Sequence, residues 1–232
     1  MEKMPGLFSP LPVKHFTLRN RIVLPPMASD TADDSGRVTE AHIRHYVQRA
    51  AAGVGMVIVE HCYVRRDGRY NPRQLGIHDD SVIPGLAQLA RAVKAYDAVV
   101  GVQIAHAGGR ASSKTIGGQP VAPSEGVLSP GGSEPARALT LADLDALEEA
   151  YVAAARRAVE AGFDFVELHG AHCFLLCEFL SPLANRRMDA MGAAWRTACA
   201  FPCAWYKRCG VYFQRRSCCC IGCRAATSCQ VA

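Results

Sequence analysis

Phe163-Asp-Phe-Val-Glu-Leu-His-Gly-Ala-His172 runs on, past Cys173, into Phe174-Leu-Leu-Cys-Glu-Phe-Leu-Ser-Pro-Leu-Ala-Asn-Arg-Arg-Met-Asp189. The apolar run 163–168 reads as a strand that delivers two histidines, three residues apart, at its carboxyl end. In α/β folds that end is where ligands and catalytic groups collect. Neutral imidazoles there can each donate a hydrogen bond to one substrate oxygen without the desolvation cost of buried charge. Two structural histidines satisfied by backbone, or a metal pair, are the other readings of the same residues.

Upstream, strand and helix patterns alternate. Residues 22–27 read as a buried strand ending at Pro25-Pro26, after a small hairpin around Lys14–Leu18. Thr39 is an N-cap for a helix from Glu40 to about Ala52, with Ile43, Tyr46, Val47 and Ala50 on one stripe. Gly53-Val-Gly55 ends it and opens a strand through Glu60. A helix over Ser81–Ala95 and a strand over Ala98–His106 follow. Residues 107–139, dense in Gly, Ser and Pro, offer no convincing helix, and a loop of that length is usually functional or mobile. Thr140 with Asp143 then opens a long helix that Gly162 closes. Such alternation implies parallel βα units and an α/β fold.

Composition narrows the function classes. Formal net charge is +5, but six of the 26 Lys and Arg lie beyond Met191 with no acidic residue, leaving 20 basic against 21 acidic before it. A near-neutral body is poor material for a phosphate backbone, so nucleic acid is not expected as a partner. Eight of the 11 cysteines fall between Cys199 and Cys229, leaving Cys62, Cys173 and Cys177 in the body. With a polar, proline-bearing start and no apolar run of membrane-spanning length, the body reads as a reduced, cytoplasmic protein that does not engage a membrane. Cys218-Cys-Cys220 and Cys220-x-x-Cys223 invite a metal reading, but no second well-spaced pair or histidine ligand supports it, and no metal site is assigned.

The motif at 169–189 resembles the signature of the Old Yellow Enzyme family, also called NADH:flavin oxidoreductases: His-x-x-His/Asn-Gly-Tyr-Leu, then Phe-Leu-Ser-Pro, Asn and Arg-x-Asp. Leu7-Phe-Ser-Pro-Leu, Leu18-Arg-Asn-Arg-Ile-Val, Pro25-Pro-Met27, Gly55-Met-Val-Ile-Val-Glu60 and Gly101-Val-Gln-Ile-Ala-His-Ala-Gly108 match the family opening in order. The resemblance covers residues 6–190. It implies a (β/α)8 TIM-type barrel, of which this chain supplies about four βα units (residues 1–190) followed by an irregular, basic, Cys-rich tail (191–232). It also implies FMN across the strand ends, with NADH or NADPH as reductant and hydride passing through flavin to the β-carbon of an activated alkene, a small-molecule substrate.

By the same resemblance His169 and His172 are the pair that hydrogen-bonds the substrate oxygen. Pro26, Met27 and Ala28 lie along the isoalloxazine edge, although Pro25-Pro26 by itself could simply end a strand. Gln103 faces the flavin pyrimidine ring, where an amide offers donor and acceptor together; taken alone, a strand glutamine is more often an exposed polar residue. His61 stands at the matching flavin wall. Arg110 could reach an anion or remain a solvated loop residue, Glu60 reads as structural, and Cys177 and Glu178 receive no role. Two departures matter. Phe174 occupies the position of a tyrosine that protonates the substrate α-carbon, so solvent or another group must serve or alkene reduction is impaired. Cys173 replaces a glycine and would distort the turn if that position needs positive φ.

A complete barrel usually takes about 250 residues, so four units leave open parallel edges that pairing of two copies, a homo-oligomer, could cover. Family elements for the flavin phosphate and N1 region lie later than this chain reaches; the chain alone is expected to hold flavin weakly or not at all and to be weakly active or inactive. A non-catalytic barrel remnant or interaction protein is the alternative. The family continues past Arg-x-Asp with Gly-Gly-Ser-x-Glu-Asn-Arg-x-Arg-Phe, whereas residues 192–203 do not. Permitted codons for this stretch, read two bases on, spell Arg-Gly-Met-Glu-Asn-Arg-Met-Arg-Phe-Pro-Leu. A change of reading frame near Ala190 is therefore expected, and the coding DNA decides it.

Overall fold

The computed structural model describes residues 6–14, 16–126 and 129–192, together with the backbone of 218–221. Its centre is a parallel sheet of β3 (Val23–Leu24), β4 (Met56–Tyr63), β5 (Val99–Ala105), β8 (Phe165–Leu168) and β9 (Cys218–Ile221), hydrogen-bonded in that order. Helices α1 (Glu40–Ala51), α2 (Ile83–Lys94) and α4 (Leu141–Glu160) carry the chain from each of the first three of these strands to the next. Helix α5 (Leu175–Leu180) follows β8. That is four βα units. Beyond these units the backbone of 218–221 lies beside β8 as β9, with Phe165 opposite Cys218.

The helix-facing side of the sheet is the main core. Val57, Val59, Val100, Val102, Ile104, Val166 and Leu168 alternate onto it and meet Tyr46, Leu86, Leu89, Leu147 and Tyr151 from the helices. The opposite face is smaller and mixed. At its amino-terminal end Ile58 and Phe165 are covered by Phe16, whose ring lies 6.3 Å from that of Phe165. Phe16 belongs to β2 (Phe16–Leu18), antiparallel to β1 (Leu11–Val13), so the expected hairpin does plug this end of the sheet. A Cβ on Gly101 would fall 2.2 Å from Cζ of Phe165. Gly101→Ala is expected to displace that ring and cost about 1–3 kcal/mol, read as a lower denaturant midpoint at unchanged slope.

Local signals set the long helix. Thr140 Oγ1 accepts from Asp143 N–H at 3.1 Å, and Asp143 Oδ2 accepts from Thr140 N–H at 2.9 Å, closing a capping box. At the other end Gly162 is left-handed (φ 85°). Gly162 N–H reaches Val159 O at 2.9 Å and Phe163 N–H reaches Ala158 O at 3.0 Å, the paired bonds of a Schellman stop. The 107–139 stretch is less irregular than its composition predicts. It holds a 3-10 turn at Gly108–Arg110, the short helix α3 (Ser113–Ile116) and a two-residue parallel pairing of β6 (Val121–Ala122) with β7 (Arg137–Ala138). No helix among the described residues is long and apolar enough to cross a membrane.

Candidate active site

Because the strands are parallel, the segments after β3, β4, β5 and β8 emerge at one end of the sheet; Pro26, Met27, Ala28, His169 and His172 lie on such segments, while His61 and Gln103 lie on β4 and β5 themselves. A β-bulge decides the orientation of one of them. Val59 pairs with Val102, but the next partner of Ile104 is Cys62, so one extra residue is accommodated on β4. Simple alternation would send His61 into the helix layer with Val57 and Val59. The extra residue gives that place to Cys62 and turns His61 toward β8, the re-aiming that bulges commonly perform beside functional sites. Its ring then stacks on that of His169, 5.8 Å away with 12° between planes. The Gln74 amide donates to His61 Nδ1 at 2.8 Å, which leaves the proton of the neutral ring on Nε2.

His169 is anchored by its own backbone N–H, which donates to Ile104 O at 3.0 Å. The residue is 4 % exposed, and Nε2 is buried without a hydrogen-bond partner among the described residues. Burial, helped by the neighbouring His61 and His172, lowers its pKa to about 3, so the ring is neutral at physiological pH. A buried neutral imidazole with an unanswered nitrogen is costly unless a ligand completes it.

His172 is exposed, and its ring centre lies 5.1 Å from that of His169. It sits in a tight turn: Phe174 N–H donates to Ala171 O at 3.1 Å, and both central residues are left-handed, His172 at φ 58° and Cys173 at φ 57°. Position 173 is therefore one that favours glycine, as the sequence suggested, and the cysteine adopts the conformation rather than changing it. Arg110 supports the turn, donating to His172 O at 2.7 Å and to the Tyr70 hydroxyl at 3.1 Å. This arginine braces the site instead of reaching into solvent. Phe174, 3 % exposed, packs edge-on against His169 at 4.6 Å and near Tyr70 at 5.5 Å, a wall with no proton to offer.

Gln103 lies on the same sheet face two residues' depth below His169, with its amide donating to Glu167 Oε1 of β8. This bond uses one of the two amide donors. Burial raises the Glu167 pKa. Pro26, Met27 and Ala28 lie on the chain leaving β3, with Met27 half exposed. Glu60 fixes this segment: its carboxylate accepts Ser29 N–H and, at 3.0 Å, His42 Nε2. His42 Nδ1 accepts Thr39 N–H, so the Nε2 proton is the one shared with Glu60. Burial works against the charge of Glu60, yet these hydrogen bonds outweigh it and lower the pKa. Glu60 is structural, as its sequence reading proposed.

Glu178 was not legible as a site residue. It is 1 % exposed, and its carboxyl accepts Gly109 N–H at 3.0 Å and the Ser129 hydroxyl. A Cβ on Gly108 would sit 2.4 Å from Glu178 Oε2, so glycine there is what lets the loop close over the carboxyl. Burial raises its pKa to about 7, against the opposing pull of the Ser129 and Gly109 donors. One group thus ties the loop after β5 to the helix behind the histidine turn.

For a flavin ring, the fit rests on the buried unanswered Nε2 of His169, the Gln103 amide on the adjacent strand, and the backbone of 26–28 along the same edge. The chain is similar to known proteins over most of its length. Residues 6–207 match the model of the NADH:flavin oxidoreductase / NADH oxidase family, past residue 190 where the sequence resemblance was drawn to an end. An NADPH dehydrogenase of Geobacillus sp. (strain WCH70) is 43% identical over 195 residues, 84% of this chain and 56% of that protein. An NADH oxidase of Thermoanaerobacter brockii is 41% identical over 204 residues, 87% of this chain and 31% of that protein. The solved Old Yellow Enzyme homologue from Zymomonas mobilis superposes with a TM-score of 0.87 at 30% identity, covering 94% of this chain and 63% of its own. The chain spans about half the length of the NADPH dehydrogenases it matches. On the extent of the family match, with the strand order that accompanies it, this chain belongs to the NADH:flavin oxidoreductase / NADH oxidase family.

Proposed function

We propose that residues 1–192 carry the substrate-polarising half of an FMN-dependent NAD(P)H oxidoreductase of the ene-reductase type, acting on a small molecule with an activated double bond. The observation that carries this reading is the neutral, buried His169 with an unanswered Nε2 beside the exposed His172. FMN, when bound, supplies the hydride that adds to the β-carbon of the alkene. The two imidazoles hold the carbonyl or nitro oxygen and stabilise the negative charge that develops on it. His169, being neutral, does so without first being discharged. Gln103 offers its remaining donor and its oxygen to the pyrimidine edge of the ring, Pro26, Met27 and Ala28 line the ring's side, and His61 closes the wall behind His169. Phe174 bounds the pocket but gives no proton, so the proton for the α-carbon comes from solvent or another group.

A second reading, a barrel portion that no longer catalyses and serves as an interaction protein, draws on Phe174, which has no proton to give. A hybrid separates the two: residues 1–192 joined to the remaining part of the Geobacillus relative. The proposed function predicts a yellow protein whose NAD(P)H oxidation rises on adding an enone. A folded hybrid without flavin, or with oxidation indifferent to enone, supports the second reading.

A further inference from the structure

The chemistry proposed above leaves unused a pair of thiols. Cys173 is the second left-handed residue of the turn that carries His172, and Cys177 lies on the first turn of α5. Neither is buried like Cys62: both are of intermediate exposure, and both are free. Four residues separate them across the first turn of α5, and Cys173 is among the groups that act on the charge of Cys177. Both also line one cavity of about 390 Å³, with Pro130, Ser181, Leu183 and Arg186 among its other walls. Two neighbouring thiols on the wall of one cavity have what disulfide formation requires: proximity and a route for a small oxidant.

We propose that Cys173 and Cys177 are an oxidation site, converted by a hydroperoxide that enters this cavity into an intrachain disulfide that clamps the His172 turn to α5. In the first step one thiol, as thiolate, attacks the peroxide oxygen; the O–O bond breaks, water or an alcohol leaves, and a sulfenic acid remains. The second thiol then attacks that sulfur, the S–S bond forms, and the hydroxyl departs as water with the thiol proton. Two thiols lose two electrons and one peroxide gains them. Either thiol can make the first attack, the other then resolving it. The bond would join the residue after His172 to the residue before Glu178. Its formation therefore restrains the turn from both sides. This site stands independently of the flavin reading, because its geometry involves no cofactor.

Trypsin isolates the pair from every other cysteine: the peptide Ala158–Arg186 contains no internal Lys or Arg and only Cys173 and Cys177. The native chain is treated with hydrogen peroxide, alkylated at remaining thiols, digested and weighed. The expected result is a peptide that carries no alkyl group and is lighter by two hydrogens than its dithiol form, reverting with dithiothreitol. Cys62→Ser should leave this product intact, and Cys177→Ser should abolish it. A doubly alkylated peptide under conditions that oxidise other cysteines would overturn the proposal. So would separate sulfinic acids, or links to cysteines beyond residue 198. The readout on the unmodified chain needs no variant to fold.

Discussion

In the hybrid, His169→Ala is expected to lower kcat/KM for enone reduction by about 10²–10³-fold, the usual cost of deleting one donor to a developing oxyanion. The expectation follows from burial. A donor excluded from water, aimed at the oxygen and already neutral, stabilises charge without reorganisation, whereas an exposed imidazole competes with solvent. His172, exposed at the mouth, should therefore matter less than His169 when each is truncated alone. Since the His169 pKa is held at about 3, no inflection from this group should appear in the pH–rate profile between pH 5 and 8. The opposite order of effects, or a bell limb near pH 6.5 that vanishes with His169, would contradict the assignment.

The second large effect concerns stability and belongs to Glu178. In the fold its pKa lies at about 7, against 4.5 unperturbed. Between those values the folded chain keeps a proton that the unfolded chain has released. Stability from this group is thus complete below pH 4.5 and is lost as pH rises through about 7. The interval, at about 1.4 kcal/mol per pH unit, amounts to about 3 kcal/mol. Glu178→Gln, which mimics the protonated carboxyl, should gain that much on the wild type between pH 4 and 8. His169 acts in the other direction: its depressed pKa gives stability that is present above 6.5 and lost as pH falls toward 3. In the wild type the two slopes oppose each other from 4.5 to 6.5. The glutamine variant should therefore show acid sensitivity in that window that the wild type masks. Denaturant midpoints across pH test this, and parallel curves for the two proteins would show that the carboxyl titrates normally.

What the sequence disclosed depended on how local each cause is. Helix α4 was legible end to end because Thr140, Asp143 and Gly162 act within a few residues of the ends they set. His169 and His172 were legible because three residues and one strand position define them. Their surroundings were not. The partners of Glu178, Gly109 and Ser129, arrive from the 107–139 stretch, where composition gave no register. Glu167 meets Gln103 only through the β5–β8 pairing, 64 residues apart in the chain. The orientation of His61 depends on a bulge that strict alternation contradicts. The role of Arg110 stayed open between an anion contact and a solvated loop residue because its acceptor, the carbonyl of His172, exists only once the turn has formed. The codon reading near Ala190 and the side chains of the Cys-rich tail lie outside the described residues.

The central claim is that one substrate oxygen is shared by two imidazoles at the end of β8. A crystal structure of the hybrid with FMN and a slowly reduced enone tests it most directly. The account predicts the enone oxygen within hydrogen-bonding distance of His169 Nε2 and of the His172 ring, with Gln103 against the flavin pyrimidine edge. An enone whose oxygen is held elsewhere, with His169 Nε2 still facing only protein, would contradict it.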